Sequence, residues 1–81
     1  MYTVYVLYSA SHNKIYIGYT ANIENRLLAH NHPNNNGWTK SFQPWKMIYS
    51  EEFETKSESL KREKQLKSAK GRNFIWQTLI S

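Results

Sequence analysis

Two phenols, a guanidinium, an imidazole and one inward-turned carboxylate are the side chains of this sequence best suited to act together. Tyr5 and Tyr16 lie in two short runs of β-branched and aromatic residues. Their hydroxyls are either packing partners across a sheet or two polar tips aimed at one ligand. Arg26 carries a planar fork that can bind a phosphate through two parallel hydrogen bonds and hold the charge that builds up in phosphoryl transfer; it is otherwise a plain surface side chain. His30, four residues on, titrates near neutrality and can move a proton or touch phosphate, or can serve only as a partner for the helix dipole. Glu63 completes the set. At about 100° per residue it falls between Leu60 and Leu66, on the side of its helix expected to face the core. A carboxylate turned inward is costly unless a cation meets it, which leaves a metal ion or a salt bridge to Lys67.

The elements that must position these groups are short. Residues 2 to 8 and 15 to 20 read as strands, and the polar link between them is too brief for a parallel crossover. They are therefore expected to form an antiparallel hairpin, with Tyr8 opposite Asn13 and Tyr5 opposite Tyr16. Gly18 within the second strand marks a bulge, a kink or a close backbone approach. Thr20 or Asn22 can cap a helix from Ile23 to about Asn31, and Arg26, His30 and Asn22 share one side of it. Residues 31 to 44, rich in asparagine and bounded by prolines, read as a long loop. In it Trp38, Lys40 and Phe42 interleave aromatic and basic groups, as stacking beside phosphate contacts would need, although Phe42 also suits a core lid. A third strand is predicted from Trp45 to about Glu51, followed by a capping box at Thr55 and Glu58. The helix so capped should run to Ala69 or Lys70 and stop at Gly71, before a last packed helix holding Phe74, Ile75, Leu79 and Ile80. The fold class is α+β: one domain over residues 1–81, a three-stranded antiparallel sheet packed with about three helices.

Composition narrows the chemistry further. The chain has no cysteine, which removes disulfides, thiolate zinc sites and thiol catalysis. It has no aspartate either, so a two-metal site built from clustered carboxylates is disfavoured. Without a signal-like start or a long apolar run, a cytoplasmic protein that does not enter a membrane is expected. The net charge is +5, and all of the excess falls between residues 56 and 72. Lys61, Arg62, Lys64, Lys67, Lys70 and Arg72 there form a basic stretch that favours a polyanion, or else a solvated helix surface.

A first tripeptide ending at Tyr5, a second reading Tyr16-Ile17-Gly18, Arg26 and His30 on the next helix, and Glu63 after Arg62 together resemble the GIY-YIG nuclease superfamily. The chain is similar throughout to its small, free-standing, single-domain members, with Thr3-Val4 where the family name has glycine and isoleucine. The resemblance implies an endonuclease that cleaves phosphodiesters with one Mg²⁺ or Mn²⁺ held by Glu63. It implies Tyr5 as general base, Tyr16 orienting water or phosphate, Arg26 stabilising the pentacoordinate charge, and His30 assisting proton transfer or phosphate binding. DNA is the expected partner, with RNA as the alternative polymer, and low sequence specificity follows from the lack of an appended recognition domain. Repair or recombination is the implied setting, including a role as accessory subunit of a repair complex. The competing expectation is a non-catalytic nucleic-acid-binding module of the same fold.

Overall fold

Strand β1 (Tyr2–Ser9) is apolar on both faces, so it can only sit between two layers, and it does. In the computed structural model, which describes residues 1–33 and 37–80, β1 is the central strand of a three-stranded antiparallel sheet. Strand β2 (Lys14–Thr20) pairs on one side of it and β3 (Lys46–Phe53) on the other. Val4, Tyr5, Val6 and Leu7 are all at most 1% exposed. Because side chains alternate, Val4 and Val6 join one core cluster, with Ile17, Leu66 and Ile75. Tyr5 and Leu7 join a second on the opposite face, with Trp45 and flanking Tyr16, Leu27 and Phe42.

The hairpin register differs from the expected one by two residues. Ser9 pairs with Lys14 and Tyr5 with Gly18, so Tyr16 lies opposite Leu7 rather than opposite Tyr5. A shift of two preserves the face of every side chain, and the two phenol rings still stack diagonally with centroids 6.1 Å apart. The link accommodates this through Asn13, which takes a positive φ of 53°, a conformation asparagine tolerates.

Helix α1 (Ile23–Asn31) is capped by Asn22, whose Oδ1 accepts from the Asn25 amide at 3.1 Å. Asn31 then locks its end to the start of β3: its Nδ2 donates to the Trp45 carbonyl and its Oδ1 accepts the Trp45 amide. Among its described residues, the loop expected between α1 and β3 contains one short 3₁₀ turn (Trp38–Phe42). Trp45 precedes β3 instead of starting it and is buried, its indole N–H donating to the Thr39 carbonyl at 2.9 Å.

Helix α2 (Lys56–Lys67) begins at the expected box, with Thr55 Oγ1 accepting the Glu58 amide. It ends at Lys67, four residues before Gly71. Ser68 closes α2 and at once caps α3 (Ala69–Phe74), whose chain widens into a π-type segment (Ile75–Ile80). Gly71 is therefore no stop signal but a point of close approach between helices. A Cβ there would lie 2.3 Å from the Gln65 carbonyl oxygen and 2.5 Å from the Leu66 Cα, both backbone atoms that cannot swing away. Gly71→Ala is expected to destabilise the fold by about 2 kcal/mol, the usual scale of overpacking, read as a lowered denaturation midpoint at unchanged m-value.

The inward side of α2 is also rotated from expectation. Leu60 is 40% exposed, whereas Ser59 and Leu66 are buried. Glu63 lies beside that buried stripe with its side chain 16% exposed, and Arg62 flanks the other edge. Arg62 Nε donates to Glu51 at 2.8 Å, and the Tyr49 hydroxyl donates to the same carboxylate oxygen. Glu51 is thereby a tether between α2 and β3.

Candidate active site

A cleft of about 540 Å³ opens along the free edge of β2 and is lined by Tyr5, Tyr16, Gly18, Arg26 and Glu63, together with Lys67. Its two walls come from opposite faces of the sheet. Tyr5, Tyr16 and α1 belong to one layer, while α2 packs on the other through Leu66. They meet because Gly18 has no side chain. A Cβ at Gly18 would stand 2.7 Å from the Tyr5 hydroxyl and 2.9 Å from its Cζ, so the phenol of the central strand occupies the space a side chain on the edge strand would fill. The glycine of the second tripeptide thus lets the tyrosine of the first reach the strand edge.

Tyr5 is 1% exposed, and its hydroxyl lies 3.3 Å from His30 Nε2. Burial, then the neighbouring Tyr16 hydroxyl, holds its pKa well above the usual phenol value; Arg26 opposes this and Glu63 adds to it. His30, in the last turn of α1, is buried. Burial first, and the Arg26 charge second, lowers its pKa, so the ring is neutral at pH 7. Its Nδ1 lies 3.3 Å from Thr39 Oγ1, and Gln43 Nε2 donates to its carbonyl at 2.7 Å. A neutral ring that donates to Thr39 from Nδ1 presents Nε2 as acceptor, and the Tyr5 O–H is then the donor.

The lowered pKa gives a stability prediction with a definite sign. The unfolded imidazole takes up its proton near pH 6.5, whereas the folded one needs a lower pH. Between those points the unfolded chain holds more protons, so stability falls as pH drops below about 6.5 and levels off below the folded value. Denaturation at pH 7.5 and 5.5 should show this loss, and His30→Gln should diminish it.

Glu63 meets both cationic readings in part. Its Oε1 accepts from Lys67 Nζ at 3.3 Å, the bridge its spacing allows. It is also the one carboxylate among the described residues that line the cleft. Among the described residues no group of three or more histidine, cysteine or acidic side chains could hold a metal. One carboxylate in an open cleft, beside phenol oxygens, is a hard-oxygen donor set that suits Mg²⁺, which keeps most of its waters. The fit requires Lys67, itself half exposed, to cede the carboxylate.

The other candidates divide. Lys67 and Arg72 lie on the β2 side with Lys14. Lys61, Lys64 and Lys70 rim a groove between α2 and α3 on the far flank, along with the tethered Arg62. Lys40 is exposed on the 3₁₀ turn, Phe42 packs against Trp45, and the Trp38 side chain lies outside the described residues. Lys56 escaped the sequence reading: it lines the cleft two turns before Glu63, and that spacing alone could have placed both on one face. Thr39 escaped it too; it stands behind the cleft as the partner of His30 and left no signal.

The family model described as GIY-YIG catalytic domain matches residues 1–75. The chain belongs to the GIY-YIG family. Its similarity extends to UPF0213 proteins: one from Staphylococcus saprophyticus is 43% identical over 54 residues, 67% of this chain and 66% of the relative. One from Staphylococcus haemolyticus is 39% identical over 56 residues, covering 69% and 68%. A third, from Natronomonas pharaonis, is 35% identical over 65 residues, covering 80% and 75%. No solved structure matches the chain. GIY-YIG domains are nuclease domains, so a nucleic acid is the substrate class this fold serves. No helix of the described residues is long and apolar enough to cross a membrane.

Proposed function

We propose that this GIY-YIG domain is a divalent-metal-dependent endonuclease that cuts DNA with low sequence specificity. The observation that carries the reading is one cleft that brings together Tyr5, Tyr16, the Arg26 guanidinium and the Glu63 carboxylate, drawn from both faces of the sheet. Glu63 would hold Mg²⁺ or Mn²⁺, which when bound supplies charge neutralisation and Lewis acidity to the phosphate. Arg26, with a fork open to the cleft, stabilises the charge on the non-bridging oxygens as the water–phosphorus bond forms and the bond to the leaving oxygen breaks. Tyr5 cannot serve as a free phenolate at pH 7, because its burial keeps the proton on. It acts through His30: the attacking water gives its proton to the Tyr5 oxygen as the Tyr5 proton passes to neutral His30 Nε2. Tyr16, stacked on Tyr5, orients the water or a phosphate oxygen. Such an enzyme would work in the cytoplasm on repair or recombination intermediates, alone or as an accessory subunit.

Supercoiled plasmid incubated with Mg²⁺ tests the reading: nicking that EDTA abolishes and Arg26→Ala lowers about a hundredfold is the expected result. Binding that never leads to cleavage in Mg²⁺ or Mn²⁺ would instead make the domain a binding module.

A further inference from the structure

We propose that a second cleft, continuous with the first along the β2 edge, seats an unpaired nucleotide flanking the scissile phosphate; the word scissile rests on the nuclease reading above. This cleft, about 710 Å³, is lined by Lys14, Tyr16, Phe42, Lys67 and Arg72. Tyr16, Ile17 and Lys67 line both clefts, so a strand with one phosphate beside Arg26 continues directly into the second. Three cations from three elements converge there: Lys14 at the hairpin end of β2, Lys67 at the end of α2, and Arg72 on α3. No carboxylate is among the described residues that line it. Arg72 is anchored through its Nε, which donates to the Lys67 carbonyl at 3.3 Å and fixes the guanidinium at the junction of the two helices.

Phe42 gives the cleft its selectivity. Its ring meets His12 edge-on at 5.1 Å and Trp45 at 6.3 Å, so it is a fixed platform and not a loose side chain. An aromatic ring beside clustered cations is how single strands are held: bases stack on the ring whatever their identity, and phosphates meet the charges. A paired base offers no open face to such a ring. The favoured ligand is thus a single-stranded or frayed segment next to the cut.

Fluorescence anisotropy with a labelled 12-nucleotide single-stranded DNA, in EDTA so that cleavage cannot intervene, tests this on the whole chain. Lys14→Gln and Arg72→Gln should each weaken binding about fivefold and lower the salt slope by about 0.7, the loss of one phosphate contact. Lys46→Gln, the same charge change on the far edge strand, should alter affinity less than twofold. Phe42→Leu, which keeps an apolar group in the core, should weaken binding several-fold with the salt slope unchanged. A blunt duplex of the same sequence should bind more weakly and ignore the Phe42 change. Equal losses from Lys46→Gln and Lys14→Gln would overturn the proposal, since binding would then follow net charge alone. A duplex that shares the Phe42 dependence, or a wild type that binds no single strand, would overturn it too. Plasmid nicking in Mg²⁺ separates these failures from failure of the nuclease reading, since either result can occur without the other.

Discussion

Glu63→Gln should abolish metal-dependent nicking by about a thousandfold or more while leaving single-strand binding in EDTA within twofold of wild type. The size follows from the donor set: among the described residues one carboxylate lines the cleft, so its loss removes their charged hold on the cation. Glutamine keeps the shape of the side chain. The lost bridge to Lys67 is half exposed and contributes at most about 1 kcal/mol, so the fold should survive, as an unchanged thermal midpoint within a few degrees would show. Lys67→Met is the informative companion. It removes the resident ammonium from Glu63 and should tighten Mn²⁺ binding about fivefold by isothermal titration, a gain that Glu63→Gln must erase. Nicking that persists in Glu63→Gln would mean the cation is held elsewhere.

Gly18→Ala should cost about a hundredfold in nicking with little change in strand binding. The added methyl would stand 2.7 Å from the Tyr5 hydroxyl and 3.0 Å from a Tyr16 ring carbon. Tyr5 is packed in the second core cluster, so relief must come from a shift of the phenol off His30. Displacement of about 1 Å at a reacting group is enough for a hundredfold loss. Overpacking should also lower stability by about 1–2 kcal/mol, so activity is to be compared at a temperature where both proteins are folded. Tyr5→Phe at wild-type Gly18 gives the matching control: it should lower nicking at least as far with no steric change. Wild-type rates in Gly18→Ala would show that the phenol's position does not matter.

Much of this arrangement was legible in the residues. The hairpin, the capped α1 and the Thr55–Glu58 start of α2 rest on local chemistry, which is why their elements appear where the sequence puts them. The phenols' shared face survived the two-residue register error because side-chain direction repeats every second residue. What the sequence concealed depends on contacts between distant segments. Gly71 resembles a helix stop until α3 is seen crossing Gln65 and Leu66, and Leu60 resembles core until Ser59 is found to be the buried neighbour. His30 offered no hint of burial, since the residues that enclose it, Tyr5 and Thr39, lie on other elements. The basic stretch looked like one surface, but α2 turns Lys67 toward the cleft and Lys61 and Lys64 away from it.

The most direct test of a cleft built from both faces of the sheet is paramagnetic broadening of nuclear magnetic resonance signals by substoichiometric Mn²⁺. Side-chain signals of Tyr5, Tyr16 and Arg26 should broaden together, before those of Glu51 and Glu52 on β3, and Glu63→Gln should remove the effect. Broadening centred on β3, or unchanged by Glu63→Gln, would contradict the account.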